Sequence, residues 1–142
     1  MANTFTIKKS FHFHAAHRNE DLIGDKCFSI HGHTYFLDCY FQFEKPDEDS
    51  ITMLFADIKN KVLPVIDEFE HSFIINKSDP FYELLKDKEI KLCVLDYPSS
   101  AENLAKTFFD RISQSSHLDL VQVDFKETNS SIVIYKKNKL II

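Results

Sequence analysis

The sequence predicts an α+β fold, an antiparallel sheet with helices gathered on one face. Three observations carry that expectation. Two long segments near the start alternate apolar and polar residues with a period of two, two later segments repeat apolar residues at helical spacing, and alternation returns near the end. At 142 residues, with 44% hydrophobic and 27% charged residues, the chain reads as one globular domain spanning 1–142, long enough to bury a core without staples.

Strand one is expected from about Thr4 to Ala15, with Phe5, Ile7, Phe11, Phe13, Ala15 and His17 on one parity, interrupted by Lys9. Strand two runs from about His33 to Glu44, and His33, Tyr35, Leu37, Cys39, Phe41 and Phe43 share its inner row. Residues 18–30 form the loop between them and carry Cys27. After the turn residues at 45–50, Phe55, Ile58, Val62, Ile66 and Phe69 mark a first helix, with a kink expected at Pro64. Leu54, just before it, offers no N-cap side chain. The stretch 76–96 is least readable, with a helical turn expected near 81–86 and a short strand near 90–95. Ser99-x-x-Glu102 reads as a capping box opening a second helix, whose face is Leu104, Phe108 and Ile112. Val121, Val123 and Phe125 alternate in a third strand, a turn at Asn129 or Ser130 follows, and 132–135 closes the sheet. Phe36 and Tyr40 lie on the other parity of strand two, so the second sheet face is expected to be covered by association of subunits.

The charge of −5 argues against non-specific nucleic-acid binding, which needs a basic stripe. It leaves room for a small anion, because Arg18 and Lys26 flank the segment that carries Cys27. Three scattered cysteines (Cys27, Cys39, Cys93) give no disulfide framework and suggest a reducing, cytoplasmic setting. No apolar leader core and no run of membrane-spanning length are present, so no membrane association is expected.

Chemistry concentrates at Cys27-x-x-x-His31-x-His33, with His17 upstream. His31 and His33 project from one strand face, and Gly32 between them is expected to let backbone approach closely. His17, His31 and His33 all extend inward-facing rows, unlike His12 and His14, which alternate with Phe11 and Phe13. Three histidines on buried faces each need a polar partner. They are either satisfied separately or held together by one shared metal, and three imidazoles with one open position suit a catalytic zinc. Glu127 ends the row of Val121, Val123 and Phe125, either as a functional carboxylate or as a strand-end residue reaching water. Glu70-His71 closes the first helix, where a histidine commonly does no more than favour the dipole.

Taken in order, these motifs resemble the 6-pyruvoyl-tetrahydropterin synthase family, which includes the 6-carboxytetrahydropterin synthases of queuosine biosynthesis. The resemblance runs from Phe5 to about Lys136. It rests on Phe13-x-Ala15-x-His17, Cys27-x3-His31-Gly32-His33, Glu70-His71, the SSAENLA segment at 99–105 and Lys126-Glu127-Thr128. Three residues between Cys27 and His31 is the spacing typical of the queuosine branch. Two positions depart from the family pattern: Glu70 and Leu54 both stand where the family usually has Asp.

The resemblance implies a T-fold of β-β-α-α-β-β order, a four-stranded antiparallel sheet with two helices. It implies trimers closing into a barrel, two of them stacking as a homohexamer, and sites at subunit interfaces. It implies 7,8-dihydroneopterin triphosphate as substrate and Zn2+ on His17, His31 and His33. Cys27 is then the base, His71 oriented by Glu70 relays protons, and Glu127 clamps the pterin. The expected activity is 6-carboxytetrahydropterin synthesis with loss of triphosphate and acetaldehyde, with 6-pyruvoyl-tetrahydropterin synthesis as the alternative. A catalytically silent zinc- or pterin-binding relative and a cysteine hydrolase using Cys27 and His71 are the readings from other classes.

Overall fold

The computed structural model describes residues 3–138. Its centre is a hairpin of unusual length: β1 (Asn3–His17) and β2 (His31–Lys45) pair antiparallel without a break, from Asn3 opposite Lys45 to His17 opposite His31. Both strands outrun the expected limits at the loop end, and the extension places histidines in register. His17 faces His31, and His33 faces Ala15.

The expected four-stranded antiparallel sheet is corrected to a mixed sheet of six strands, ordered β4-β3-β1-β2-β5-β6. The two additions are β3 (Ser72–Asn76), parallel to β1, and β4 (Leu92–Leu95), parallel to β3. All five residues of β3 are buried, so the segment lacks the alternation that reveals a half-wet strand. The strand anticipated near 90–95 is β4. Strands β5 (Leu120–Thr128) and β6 (Ser131–Lys136) complete the antiparallel side, joined through Asn129 and Ser130 as expected.

Helix α1 (Phe55–Phe69) buries Ile58, Val62, Val65, Ile66 and Phe69 and continues through Pro64, while Phe55 stays exposed. Its N-cap Leu54 makes no side-chain cap bond. A third helix not counted in the expected order, α2 (Pro80–Leu85), covers the helical turn read near 81–86. It is capped by Asp79, which accepts from Phe81 N at 2.9 Å. Helix α3 (Ala101–Ser116) buries Leu104, Phe108 and Ile112. Its cap is Ser100, bonded to Asn103 N at 3.2 Å, rather than Ser99 of the expected capping box.

Helices α1 and α3 pack together over the odd-numbered face of the central hairpin. Phe13 stacks on Tyr35 with centroids 4.9 Å apart and meets Phe108 at 5.2 Å. Aromatic pairs of this kind contribute roughly 0.5–1.5 kcal/mol each beyond the area they bury. Among the described residues nothing covers the opposite face: His12 and His14 are exposed, as are Phe36, Ile132 and Ile134. On β5, Leu120 is buried in place of the expected Val121, because a register shift at Tyr40–Phe41 leaves Val121 unpaired with β2.

Candidate metal centre and its surroundings

At the loop end of the β1–β2 hairpin, cross-strand pairing alone brings three imidazoles together. Ring centroids of His17 and His31 lie 4.6 Å apart, of His17 and His33 5.1 Å, and of His31 and His33 4.8 Å. One ligand nitrogen from each lies within 4.8 Å of the others. The outward nitrogens of His17 and His31 are already engaged. His17 Nδ1 stands 3.1 Å from Ser99 O and 3.0 Å from Ser99 Oγ, and His31 Nδ1 stands 2.7 Å from Ser29 O. A carbonyl can only accept, so these contacts place the protons on Nδ1 and leave Nε2 of both rings as lone-pair donors.

Nε2 of His17 and of His33 are buried without a hydrogen-bond partner among the described residues. Two orphaned imidazole nitrogens in one pocket cost free energy unless something accepts their lone pairs. A metal held by three imidazoles, two of them (His17 and His31) steadied from behind, fits both the donor set and the orphaned atoms.

Ser99, the expected helix cap, is instead the partner that orients His17, 82 positions away in sequence. Ser99→Ala removes the Oγ contact and leaves the carbonyl, and should weaken binding of a metal at the cluster about tenfold or more. Titration against a chromophoric chelator checks it, and unchanged affinity would remove Ser99 from the site.

Burial lowers the pKa of His17 from its ordinary 6.5 to about 4, helped by the neighbouring His31 and His33. His33 is lowered in the same way, by burial and then His31. In the metal-free protein the unfolded chain therefore takes up a proton at His17 before the folded chain does. Stability should fall as pH drops from about 6.5 to about 4, by about 3 kcal/mol from His17. Urea midpoints across that window test this, and a flat profile would contradict a neutral buried His17.

Cys27 sits half-buried on a single 3-10 turn (Lys26–Phe28) capped by Asp25, whose Oδ1 accepts from Cys27 N at 2.9 Å. The thiol donates a hydrogen bond to the same carboxylate, and this bond, with lesser help from burial, holds the proton on sulfur and pushes the Cys27 thiol above its usual range. A cation at the imidazole cluster would act in the opposite direction. Glu127 reaches the cluster as well, with Oε1 3.9 Å from His17 Nε2. Glu127 extends the inner row that Phe125 ends, beside a register shift in the β5–β6 pairing between Phe125 and Thr128. Burial raises the Glu127 pKa, against the pull of His31. Glu127 also lines a cleft of about 380 Å3 together with Asn19, Leu22, Pro98, Ser100 and Glu102.

Two expected features take other places. Arg18 is not available to an anion: it is buried and bonded to Asp79 through Nε at 2.7 Å and Nη2 at 2.9 Å. Glu70 and His71 do not join Cys27 within the chain. They form a separate group with His14, on the even-numbered face of β1, opposite His17. A Cβ at Gly32 would meet Ala15 O at 3.4 Å, an ordinary contact. Gly32 thus leaves the even face bare rather than permitting a close backbone approach.

Tyr35, by its place on the inner row of β2 a core residue, also borders the cluster. Its hydroxyl is buried without a partner among the described residues, with the ring 5.3 Å from His33 and 5.9 Å from His17. Burial, and then the Glu127 charge, drive its pKa upward, so it stays protonated beside the cluster.

The family model for 6-pyruvoyl tetrahydropterin synthase matches residues 6–138. Among curated proteins, the 6-carboxy-5,6,7,8-tetrahydropterin synthase of Aquifex aeolicus (strain VF5) is 31% identical, across 92% of this chain and 97% of that protein. The protein of the same name from Haemophilus influenzae is 28% identical, across 94% and 99%. Of solved structures, the 6-pyruvoyl tetrahydropterin synthase of Caenorhabditis elegans superposes with a TM-score of 0.70 at 22% identity, covering 96% of this chain and 97% of that one. That of Plasmodium falciparum gives 0.71 at 16%, covering 94% and 98%. At those identities the structures speak for the fold, whereas the family match spans nearly every described residue. By that match the chain belongs to the 6-pyruvoyl tetrahydropterin synthase family.

Proposed function

We propose that this protein is a zinc-dependent 6-carboxy-5,6,7,8-tetrahydropterin synthase acting on 7,8-dihydroneopterin triphosphate in the cytoplasm. The observation that carries the reading is the set of three imidazoles, two with orphaned buried nitrogens, with Glu127 at hand and Cys27 on the loop that joins the two strands. The choice of a carboxylated product rests on the names of the two curated relatives and on the three-residue spacing between Cys27 and His31.

His17, His31 and His33 would hold the zinc, which when bound supplies Lewis-acid polarisation of the substrate's side-chain hydroxyls. Cys27 serves as the base at the adjacent C–H bonds, its proton drawn off once a cation lies nearby. Glu127 accepts from the pterin's amino and ring N–H groups across the cleft it lines. His71, oriented by Glu70, relays protons. Because that pair lies on the sheet face opposite His17, it is delivered to the Cys27 site of a neighbouring subunit, in a homohexamer of two stacked trimers. The exposed Phe36, Ile132 and Ile134 on the same face support such an interface.

Incubating the zinc-loaded protein with 7,8-dihydroneopterin triphosphate and following products by mass is the test. A carboxylated pterin with acetaldehyde is the expected outcome. A pyruvoyl product without acetaldehyde would move the protein to 6-pyruvoyl-tetrahydropterin synthesis, and no turnover with zinc bound would sink both.

A further inference from the structure

His14 touches neither the imidazole cluster nor Cys27, yet its contacts single it out. The backbone N–H of His14 donates to Glu70 Oε1 at 3.2 Å, and its Nδ1 lies 3.1 Å from the same oxygen. His71 Nε2 stands 3.4 Å from that oxygen on its other side. The backbone closes the arrangement: His71 N donates to His14 O at 2.7 Å, and His71 takes the left-handed conformation, φ 55, that a non-glycine residue adopts only at a cost. Glu70 ends α1 and His71 turns the chain into β3, whose pairing with β1 starts at Ser72 opposite Ala15. The Glu70 carboxylate thus extends the β1 edge beyond the reach of β3.

A metal is the other reading of two imidazoles and a carboxylate. It is disfavoured because the three groups already satisfy one another, whereas Nε2 of His17 and of His33 have no partner among the described residues. Burial alone would raise the Glu70 pKa, but the hydrogen bonds from His14 outweigh it and keep the group an anion. An anion held on one side by His14 N–H groups attracts a proton onto the nitrogen of His71 that faces it.

Building on the function proposed above, we infer that His14 is a positioning residue: by fixing Glu70 it holds His71 in the Nε2–H tautomer, so that Nδ1 is the nitrogen that exchanges protons with substrate. His14 is largely exposed, so its replacement removes the contact without opening the core.

The test compares His14→Ala and His14→Asn in the full-length, zinc-loaded protein. Asn can present an amide N–H where His14 offers Nδ1–H. His14→Ala should lower kcat about tenfold with KM and bound zinc unchanged, and His14→Asn should recover most of it. In a Glu70→Ala background, His14→Ala should change kcat less than about twofold, because its route of action is already gone. An unchanged kcat in His14→Ala, or an equal fall in both backgrounds, would overturn the inference. Nitrogen-15 spectra of histidine-labelled protein decide the matter even without turnover. His71 should show a protonated Nε2 and a bare Nδ1 in the wild type, and a tautomer mixture in His14→Ala. A mixture already present in the wild type would overturn it. A clean tautomer in a protein that leaves the pterin triphosphate untouched would instead count against the function proposed above.

Discussion

Asp79→Ala should lower the free energy of unfolding by about 3–5 kcal/mol, the largest stability loss expected from any single polar change in this protein. Arg18 and Asp79 are both buried, and the bidentate contact at 2.7 and 2.9 Å satisfies the guanidinium on one edge. Its faces are covered by Phe81, 3.9 Å from the guanidinium carbon to the ring centroid, and by Phe28 at 4.7 Å. Removing the carboxylate leaves a buried cation without its bonded counter-ion, with only the more distant Glu20 charge to offset it, and strips α2 of its N-cap. At roughly 2–4 °C per kcal/mol for a chain near this size, the melting temperature should fall by about 10 °C. Asp79→Asn keeps an oxygen for the cap and should lose less, whereas Arg18→Leu with Asp79→Leu should recover most of the loss. Urea midpoints measure all three, and a loss below about 1 kcal/mol in Asp79→Ala would mean the charge finds water. The consequence reaches the site, because Phe28 follows Cys27 directly on the capped turn. Loosening the Arg18 sandwich should therefore raise the reactivity of Cys27 toward thiol reagents.

This pair also shows where reading the sequence runs out. Arg18 beside a His/Cys cluster looks like an anion ligand from sequence alone, and its partner lies 61 positions away in a stretch with no clear periodicity. The long hairpin was legible because period-two alternation survives over many residues, and its register followed from which parity was apolar. The convergence of His17, His31 and His33 was legible for the same reason. All three extend inner rows of adjacent strands. Strand β3 was not, since a strand buried on both faces is a plain apolar run. Ser99 and Ser100 could not be told apart as caps, because a capping pattern specifies spacing and not which serine is drawn off by a distant imidazole. Leu120 replaced Val121 in the core through a bulge that leaves no mark on hydrophobicity. The separation of Glu70-His71 from Cys27 follows from strand parity at His14, but only once β3 is known to lie beside β1.

On the function proposed above, replacing His17, His31 or His33 by alanine should abolish tight zinc binding and cost turnover of 7,8-dihydroneopterin triphosphate at least about a thousandfold, the scale of several kcal/mol of transition-state charge stabilisation. The structure adds a sharper expectation about stability. In the metal-free protein, Nε2 of His33 is an orphaned buried atom, so His33→Ala removes an unsatisfied group along with some packing, and the two effects oppose each other. The variant should therefore melt close to the metal-free wild type. The wild type, by contrast, should gain about 4 kcal/mol when free zinc exceeds its dissociation constant about a thousandfold. That gain should vanish in His33→Ala. Cys27→Ala separates binding from chemistry: Cys27 is not counted among the three ligands, so its variant should keep both the zinc and the thermal gain while losing turnover. Metal analysis beside melting curves, with and without chelator, reads each outcome. A zinc-dependent rise in melting temperature that survives in His33→Ala would place the metal elsewhere. Loss of that rise in Cys27→Ala would make the cysteine a ligand rather than the base.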